Sequence, residues 1–452
     1  MNGTVKYLLT ICGLLIIAGL PVVSPAGQEV GKTILPNGLT LITCEDRATP
    51  LVSVALIYHV GIKDEMPGRT GISQLCRQII AYGTPRNDHD NFTRIIQSGG
   101  GFSGSEVDFD LTWFVTKIPS NLLDTVLYLE SDRMQNVVIT IENLLLAKDA
   151  LRRDRLVNIE SSIYGHINEE FMNLAYKSHT YRNPFFGWPG DVNSITIEDV
   201  KNYYRSFFQP ANATLVVFGD FDLAALTTRV RELFGPIVSY GVPERRRIIE
   251  PDQIGERFSR IQGFVGIPAI LLGFHAPEAT HEDFPKLGLI NYILAGGEFS
   301  RLKRKMIVEE KSAMYIGGGV FRTEDPGMFY VYAILNYDTP MDEAEKQICG
   351  EIERLKTELV SDAELERAKN RIEVDYYRAI RDIDRTAGII GFHEIIARDH
   401  DYSVKYVKQV RAVNKENILE TAIRYLGREN RTGVMLYSAE SPVGAREQHT
   451  EQ

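Results

Sequence analysis

Cysteine is scarce in this chain: four residues among 452, and no two of them form a C-x-x-C pair. That spacing argues against a cysteine zinc site and against a disulfide framework of the kind that holds small exported domains together. Histidine is thinly spread as well. His59, His89, His166, His179, His275, His281, His393 and His400 include no pair at i, i+4, the spacing that sets two imidazoles on one helical face. His393 and His400 are about two helical turns apart, too far to share a metal along one helix. Each of these histidines is expected at the surface or in a hydrogen bond. Positive charge is not in excess either: 50 Lys and Arg stand against 60 Asp and Glu, so an extended phosphate-binding face, and with it nucleic acid, drops out. Low-complexity tracts are missing too. Hydrophobic residues at 44% and charged residues at 24% are those of an ordinary globular chain, long enough for two or three domains.

The one long apolar run lies at the start. Lys6 supplies a positive n-region, Tyr7 to Val22 is nearly uncharged, and Ser24 and Ala26 are small residues at the −3 and −1 positions of a cleavage site. This is the pattern of a signal peptide over residues 1–26, and it predicts export across the inner membrane to the periplasm. An uncleaved membrane anchor is the alternative, because the run approaches the ~20 residues that span a bilayer. Cys12 is too deep in the run to be a lipid-attachment site. The remaining Cys44, Cys76 and Cys349 are an odd, widely spaced set, which predicts buried free thiols.

The rest of the chain echoes itself at an offset of roughly 215–220 residues. The apolar strand Val52 to Tyr58 has its counterpart in Ala269 to Phe274, and the aromatic strand Leu111 to Thr116 in Met328 to Ala333. Each half closes alike. Thr196 caps a helix that Pro210 stops, before a strand from Thr214 to Phe218; Asn414 caps a helix that Gly427 ends, before Val434 to Tyr437. Ser361 and Glu364 form a capping box at the head of a long helix. Strands and helices come in clusters rather than strict βα units, so the fold class is α+β, with helices on one face of each sheet. The boundaries follow: an N-terminal domain over 27–235, a linker over 236–262 rich in Pro, Gly and Arg, a C-terminal domain over 263–440 and a tail over 441–452. Within the linker, Arg245-Arg246-Arg247 is expected as a solvated patch.

Chemistry concentrates between Gly71 and Thr84. Leu75, Ile79 and Tyr82 give the helix here an apolar face and Gly83 ends it, while Gln74, Arg77 and Gln78 share the opposite face at i, i+3 and i+4. The register, the glycine before the helix and the Gly83-Thr84 after it resemble the H-x-x-E-H helix of insulinase/pitrilysin-type metallopeptidases, the inverzincins. The resemblance extends along nearly the whole mature chain. Leu35 to Leu39 is similar to the family's opening strand, and Gly100-Gly101, Asp110, Thr112 and Phe114 to its substrate strand. His179, Tyr181, Pro184, Gly187 and Trp188 are similar to the stretch after its third metal ligand, and Leu294 to Gly297 with Ser300-Arg301-Leu302 to the start of its second domain. It implies a clamshell of two homologous α/β-layer domains.

The resemblance also implies that most of the catalytic equipment is gone. Gln74 and Gln78 stand at the two histidine-ligand positions, Arg77 at the glutamate base, and Glu160 alone matches the third ligand. A glutamine amide is not among the usual zinc ligands, and a guanidinium can neither take a proton from water nor tolerate a dication. Gly104-Ser105 replaces the family's substrate-positioning Asn-Ala. Tyr315 matches a carbonyl-binding tyrosine, with Val308 at the place of its arginine partner and Arg304 nearby. No cofactor is expected in this chain. An Arg77–Glu160 ion pair is predicted in place of the metal bridge. The function implied is that of a non-catalytic subunit paired with a homologous zinc-bearing peptidase subunit, supplying chamber wall and a surface for peptide or unfolded protein. A stand-alone peptide-binding or scaffold protein, and an active peptidase with an atypical site, are the alternatives.

Overall fold

Continuous apolar runs such as Val52 to Tyr58 form strands buried on both faces, and these strands organise the molecule. The structure, a computed structural model, describes residues 30–162, 165–263 and 267–438. The signal peptide expected over 1–26 and the tail over 441–452 lie outside the described residues. The first sheet contains β1 (Val30–Ile34), β2 (Thr40–Glu45), β3 (Leu51–Tyr58), β4 (Phe102–Val107), β5 (Thr112–Pro119) and β6 (Ala213–Gly219), in the order β1-β2-β6-β3-β5-β4. The second contains β7 (Arg257–Gly263), β8 (Ala269–Ala276), β9 (Ala313–Val320), β10 (Gly327–Leu335) and β11 (Arg431–Ser438), in the order β7-β11-β8-β10-β9. Without β1 the two orders coincide. Each sheet also carries one parallel pairing at the same place, β2 against β6 and β7 against β11.

The strand β7 falls inside the segment expected as linker. Its Phe258 joins the core of the second half while Ile261 packs on the other face of the sheet, so the sequence carries no period-2 stripe there. Backbone pairing with β11 makes the strand. The arginine run is also corrected in part: Arg246 and Arg247 are exposed, but Arg245 turns inward. Its Nε lies 3.1 Å from buried Asp64 and its Nη2 donates to Asn212 at 2.9 Å. The buried carboxylate requires a cation, and the chain segment delivers one.

Helices cover both faces of each sheet, not one as expected. On one face of the first sheet lie helices of the same half, with Leu75, Ile79, Val126, Leu127 and Val200 in a common core. On the other face Ile57, Val216 and Phe218 meet Ala387, Ile389, Ile390 and Phe392 of the helix Ile383–Ile396, which belongs to the second half. The exchange is reciprocal. The helix Gly165–Ala175 of the first half lays Ile167, Phe171 and Met172 against Leu271, Met328, Tyr330 and Val434 of the second sheet. Glycines permit the approach: a Cβ on Gly391 would sit 2.2 Å from Ile57, and one on Gly273 would sit 2.3 Å from the Phe171 ring. Ion pairs of Lys117 with Asp384, at 2.8 Å, and of Lys32 with Glu394 fasten the rim of the exchanged helix.

A buried polar seam closes the contact between halves. Lys63 pairs with Glu324 and lies 3.3 Å from Asp110 and 3.5 Å from Asp325. The Tyr181 hydroxyl donates to Asp110 at 2.7 Å, and the Glu324 amide donates to the same carboxylate at 2.9 Å. His59 lies 2.7 Å from Glu324. Burial works against the Glu324 charge, but His59 and Lys63 hold its carboxyl down at about 2.

One histidine departs from expectation. His393 is buried, and neither ring nitrogen has a hydrogen-bond partner among the described residues. Desolvation, with Arg322 nearby, keeps it well below the usual imidazole range, and the neutral ring packs 5.4 Å from Tyr402. Among the described residues Cys44, Cys76 and Cys349 form no disulfide; Cys44 and Cys76 are buried and Cys349 is half-buried.

Because each sheet is roofed by the other half's helix, the halves should unfold together. Phe171→Ala should cost about 3–5 kcal/mol and lower a single transition seen by both calorimetry and far-ultraviolet circular dichroism. Two separable transitions, one per half, would refute the coupling.

Candidate functional site

The helix Ile72–Ala81 is started by a buried acid in place of a side-chain N-cap. Gly71 at the N-cap has φ of +90° and no side chain to offer, so Glu65 accepts from the Gly71 amide at 2.9 Å and the Ser73 amide at 3.1 Å. Burial pushes Glu65 up to about 8 despite these bonds. Ser73 is tied in turn to the Tyr203 hydroxyl at 2.8 Å and to the Gly61 carbonyl at 3.0 Å. Gly83, at φ of +90°, releases the chain from the helix where a Cβ would lie 2.2 Å from the Asn87 carbonyl.

With its apolar face committed to the core, the helix turns Gln74, Arg77 and Gln78 toward β4. Gln74 is buried; Arg77 and Gln78 are half-buried. Arg77 Nε donates to Gln74 Oε1 at 3.0 Å, and its Nη1 donates to Ser105 Oγ at 3.2 Å. Burial draws the guanidinium below its ordinary value, with Asp154, Glu106 and Tyr82 opposing from farther away. No carboxylate of the described residues reaches ion-pair distance of Arg77. Gln78 bonds instead to the Tyr82 side chain.

The expected Arg77–Glu160 pair does not form. Glu160, exposed at the end of the π-helical turn Leu156–Glu160, lies 3.4 Å from Arg155 Nε. Arg155 also holds Glu169 through two bonds of 2.9 Å. A cation one turn away on the same stretch of helix captures the carboxylate with little ordering cost, whereas Arg77 must be met across two helices. Arg155 with Glu160 and Glu169 was the sequence signal for this outcome.

The substrate-strand residues are brought to the helix in part. Ser105 binds Arg77, while Gly104 faces outward on β4, where a Cβ would meet nothing nearer than the Phe102 ring at 3.5 Å. Space does not demand the glycine. β4 ends its sheet and has no partner on its outer edge among the described residues. Tyr315 is elsewhere, on the edge strand β9, stacked on Tyr332 with centroids 5.5 Å apart. The glycine run beside it is part of the same strand, and a Cβ on Gly317 would strike the Tyr332 ring at 2.5 Å. Val308 is exposed, and Arg304 is bound to Glu309 at 2.8 Å, so neither completes an Arg-Tyr pair.

Glu106, near Arg77, and Asp108 beyond it went unmarked in the sequence. Burial, then Asp108, pushes Glu106 up to about 8, and burial, then Asp110, pushes Asp108 up to about 7. The alternating run Glu106, Asp108, Asp110 was their only trace. The set at the helix does not fit a zinc ion: it offers two amides, a guanidinium, and a carboxylate engaged elsewhere. Among the described residues no group of three His, Cys, Asp or Glu could hold a metal ion.

The raised acids carry a pH signature. A carboxyl whose folded value exceeds its unfolded value stabilises the fold at low pH and loses that contribution as pH rises through the folded value. For Glu106 the window runs from about 4.5 to about 8. Urea midpoints of the wild type and Glu106→Gln should therefore converge near the low end of the window and diverge above its high end. The variant should be the more stable at high pH. A difference that does not vary with pH would rule out the assignment.

Known proteins share this architecture. Residues 40–187 match the family model described as insulinase (peptidase family M16), and residues 194–372 match that described as peptidase M16 inactive domain. The chain is 23% identical over 407 residues to the zinc protease PqqE of Helicobacter pylori, covering 89% of this chain and 91% of that one. It is 22% identical over 361 residues to the "Probable mitochondrial-processing peptidase subunit beta" of Arabidopsis thaliana, covering 77% and 67%. A crystal structure of a protease from Helicobacter pylori superposes with a TM-score of 0.87 at 22% identity, over 91% of this chain and 99% of that chain. With both halves matched in order and the two-domain plan shared end to end, the chain belongs to the insulinase, or M16, family of peptidases.

Proposed function

We propose that this chain is a catalytically inactive family member that serves as the non-catalytic subunit of an exported, periplasmic two-subunit zinc peptidase. Its partner is a homologous subunit carrying an intact H-x-x-E-H helix, and zinc resides in that partner alone. The observation that carries this reading is the Arg77 guanidinium, fixed by Gln74 and Ser105 on the helix face where a family member would hold its metal. A permanent cation in that position repels a dication and offers no base for water.

The chain's own contribution is chamber wall and peptide-binding surface. The outer edge of β4, without a partner strand among the described residues and with Phe102 exposed near Gly104, suits an extended peptide added as a further strand. That edge also favours a second reading, a stand-alone peptide-binding or scaffold protein that uses the same surface with no partner. Kinship with a protein described as a processing-peptidase subunit supports the first.

The test is to purify the full chain alone and with a co-expressed homologue bearing the intact motif, then measure bound metal and peptide cleavage. The isolated chain should contain far less than one zinc and show no chelator-sensitive cleavage. The complex should cleave peptide faster than the homologue alone, and altering the homologue's motif should abolish this activity. One zinc per isolated chain with chelator-sensitive cleavage would overturn the proposal. A chain that binds peptide yet never associates with the homologue would transfer the assignment to the second reading.

A further inference from the structure

The environment of Arg77 is out of electrostatic balance, and the imbalance points outward. Its Nε and Nη1 each donate to a neutral oxygen, Gln74 Oε1 at 3.0 Å and Ser105 Oγ at 3.2 Å. These bonds fix the plane of the guanidinium but supply no countercharge. The acids that could neutralise it are otherwise engaged. Glu160 is with Arg155, Asp154 stays beyond ion-pair range, and Glu106, pushed up to about 8, is largely uncharged near neutrality. Arg153 and Asp154 both lie near enough to act on the neighbouring Tyr82, and they offset each other, so Arg77 leaves the local sum positive. A half-buried cation left in this state is costly, and the cost is relieved when a carboxylate accepts from the remaining N–H groups.

The approach is open. Ser105, which positions Arg77, sits on β4, whose outer edge has no partner among the described residues. We propose that Arg77 is a receptor for a peptide carboxylate: a ligand laid along the edge of β4 delivers its carboxylate to the free side of the guanidinium. The site where relatives would hold a cation thereby becomes one that holds an anion. The inference rests on the peptide-binding surface proposed above and adds the group that surface selects. The carboxylate can come from a chain terminus or from an acidic side chain, and the chemistry at Arg77 is the same.

Fluorescence anisotropy on the full chain separates these sources. Three labelled peptides of one neutral sequence serve as probes: one with a free C-terminal carboxylate, one amidated, and one amidated with a single internal Glu. In the wild type a carboxylate-bearing peptide should bind about tenfold or more tighter than the neutral amidated one, the scale of one charge-assisted pair. The arm that shows the gain names the source. Arg77→Gln should remove the preference, so that carboxylate-bearing and neutral peptides bind alike. Arg77→Lys should restore part of it, since it keeps the charge without the planar fork, and Ser105→Ala should weaken it without abolishing it. Equal binding of all three peptides, or an undiminished preference in Arg77→Gln, would sink the carboxylate receptor and leave the peptide surface standing. Binding of none would remove both.

Discussion

The exchange of helices between the halves is the constraint on which the rest of the architecture depends. A sheet whose strands are apolar on both faces cannot stand with one face wet, because each buried large side chain represents about 1.5–3 kcal/mol. The first sheet's second face is closed by Ala387, Ile389, Ile390 and Phe392 among others from the other half, and the second sheet's by residues that include Ile167, Phe171 and Met172 from the first. The relative placement of the halves is therefore set by core packing, and the charged seam around Lys63, Asp110 and Glu324 orients what the apolar contact has brought together. The site inherits this rigidity. Glu65, Ser73 and Tyr203 hold the head of the Gln74–Gln78 helix, and β4 is positioned by a ladder that runs through the sheet.

At the site itself the backbone frame is the one the resemblance implies, a helix, a glycine exit and an edge strand, and the charge it presents is the Arg77 guanidinium. Glu106 is pushed toward its neutral form, Glu160 is captured by Arg155 and Asp154 stays beyond ion-pair range, so no carboxylate of the described residues pairs with Arg77.

Much of this was legible in the sequence, for physical reasons that differ by element. The caps at Thr196, Ser361 and Asn414 were readable because each is a local hydrogen-bond pattern written within four residues. The repeat was readable because topology preserved the order of its strands. β7 was not, because its apolar residues serve opposite faces and an edge strand takes its backbone partners from far along the chain. The helix on the far face of each sheet was foreshadowed only by the unbroken apolar runs of β3 and β6, which the expectation of a one-sided sheet passed over. At the site, Gln74, Arg77 and Gln78 were placed together as the helical period demands. The partner of Glu160 was misjudged because spacing along a helix outweighs proximity suggested by a fold.

The reciprocal helices also bear on how such a molecule could arise. Two surfaces that each lend the same element to the other satisfy the definition of an isologous, two-fold contact, here within one polypeptide. Such a contact is what remains when two identical copies that swapped a helix are joined end to end. Once joined, the copies were free to diverge while still sharing one interior. A chain built this way is a dimer in its geometry and a monomer in its covalent structure.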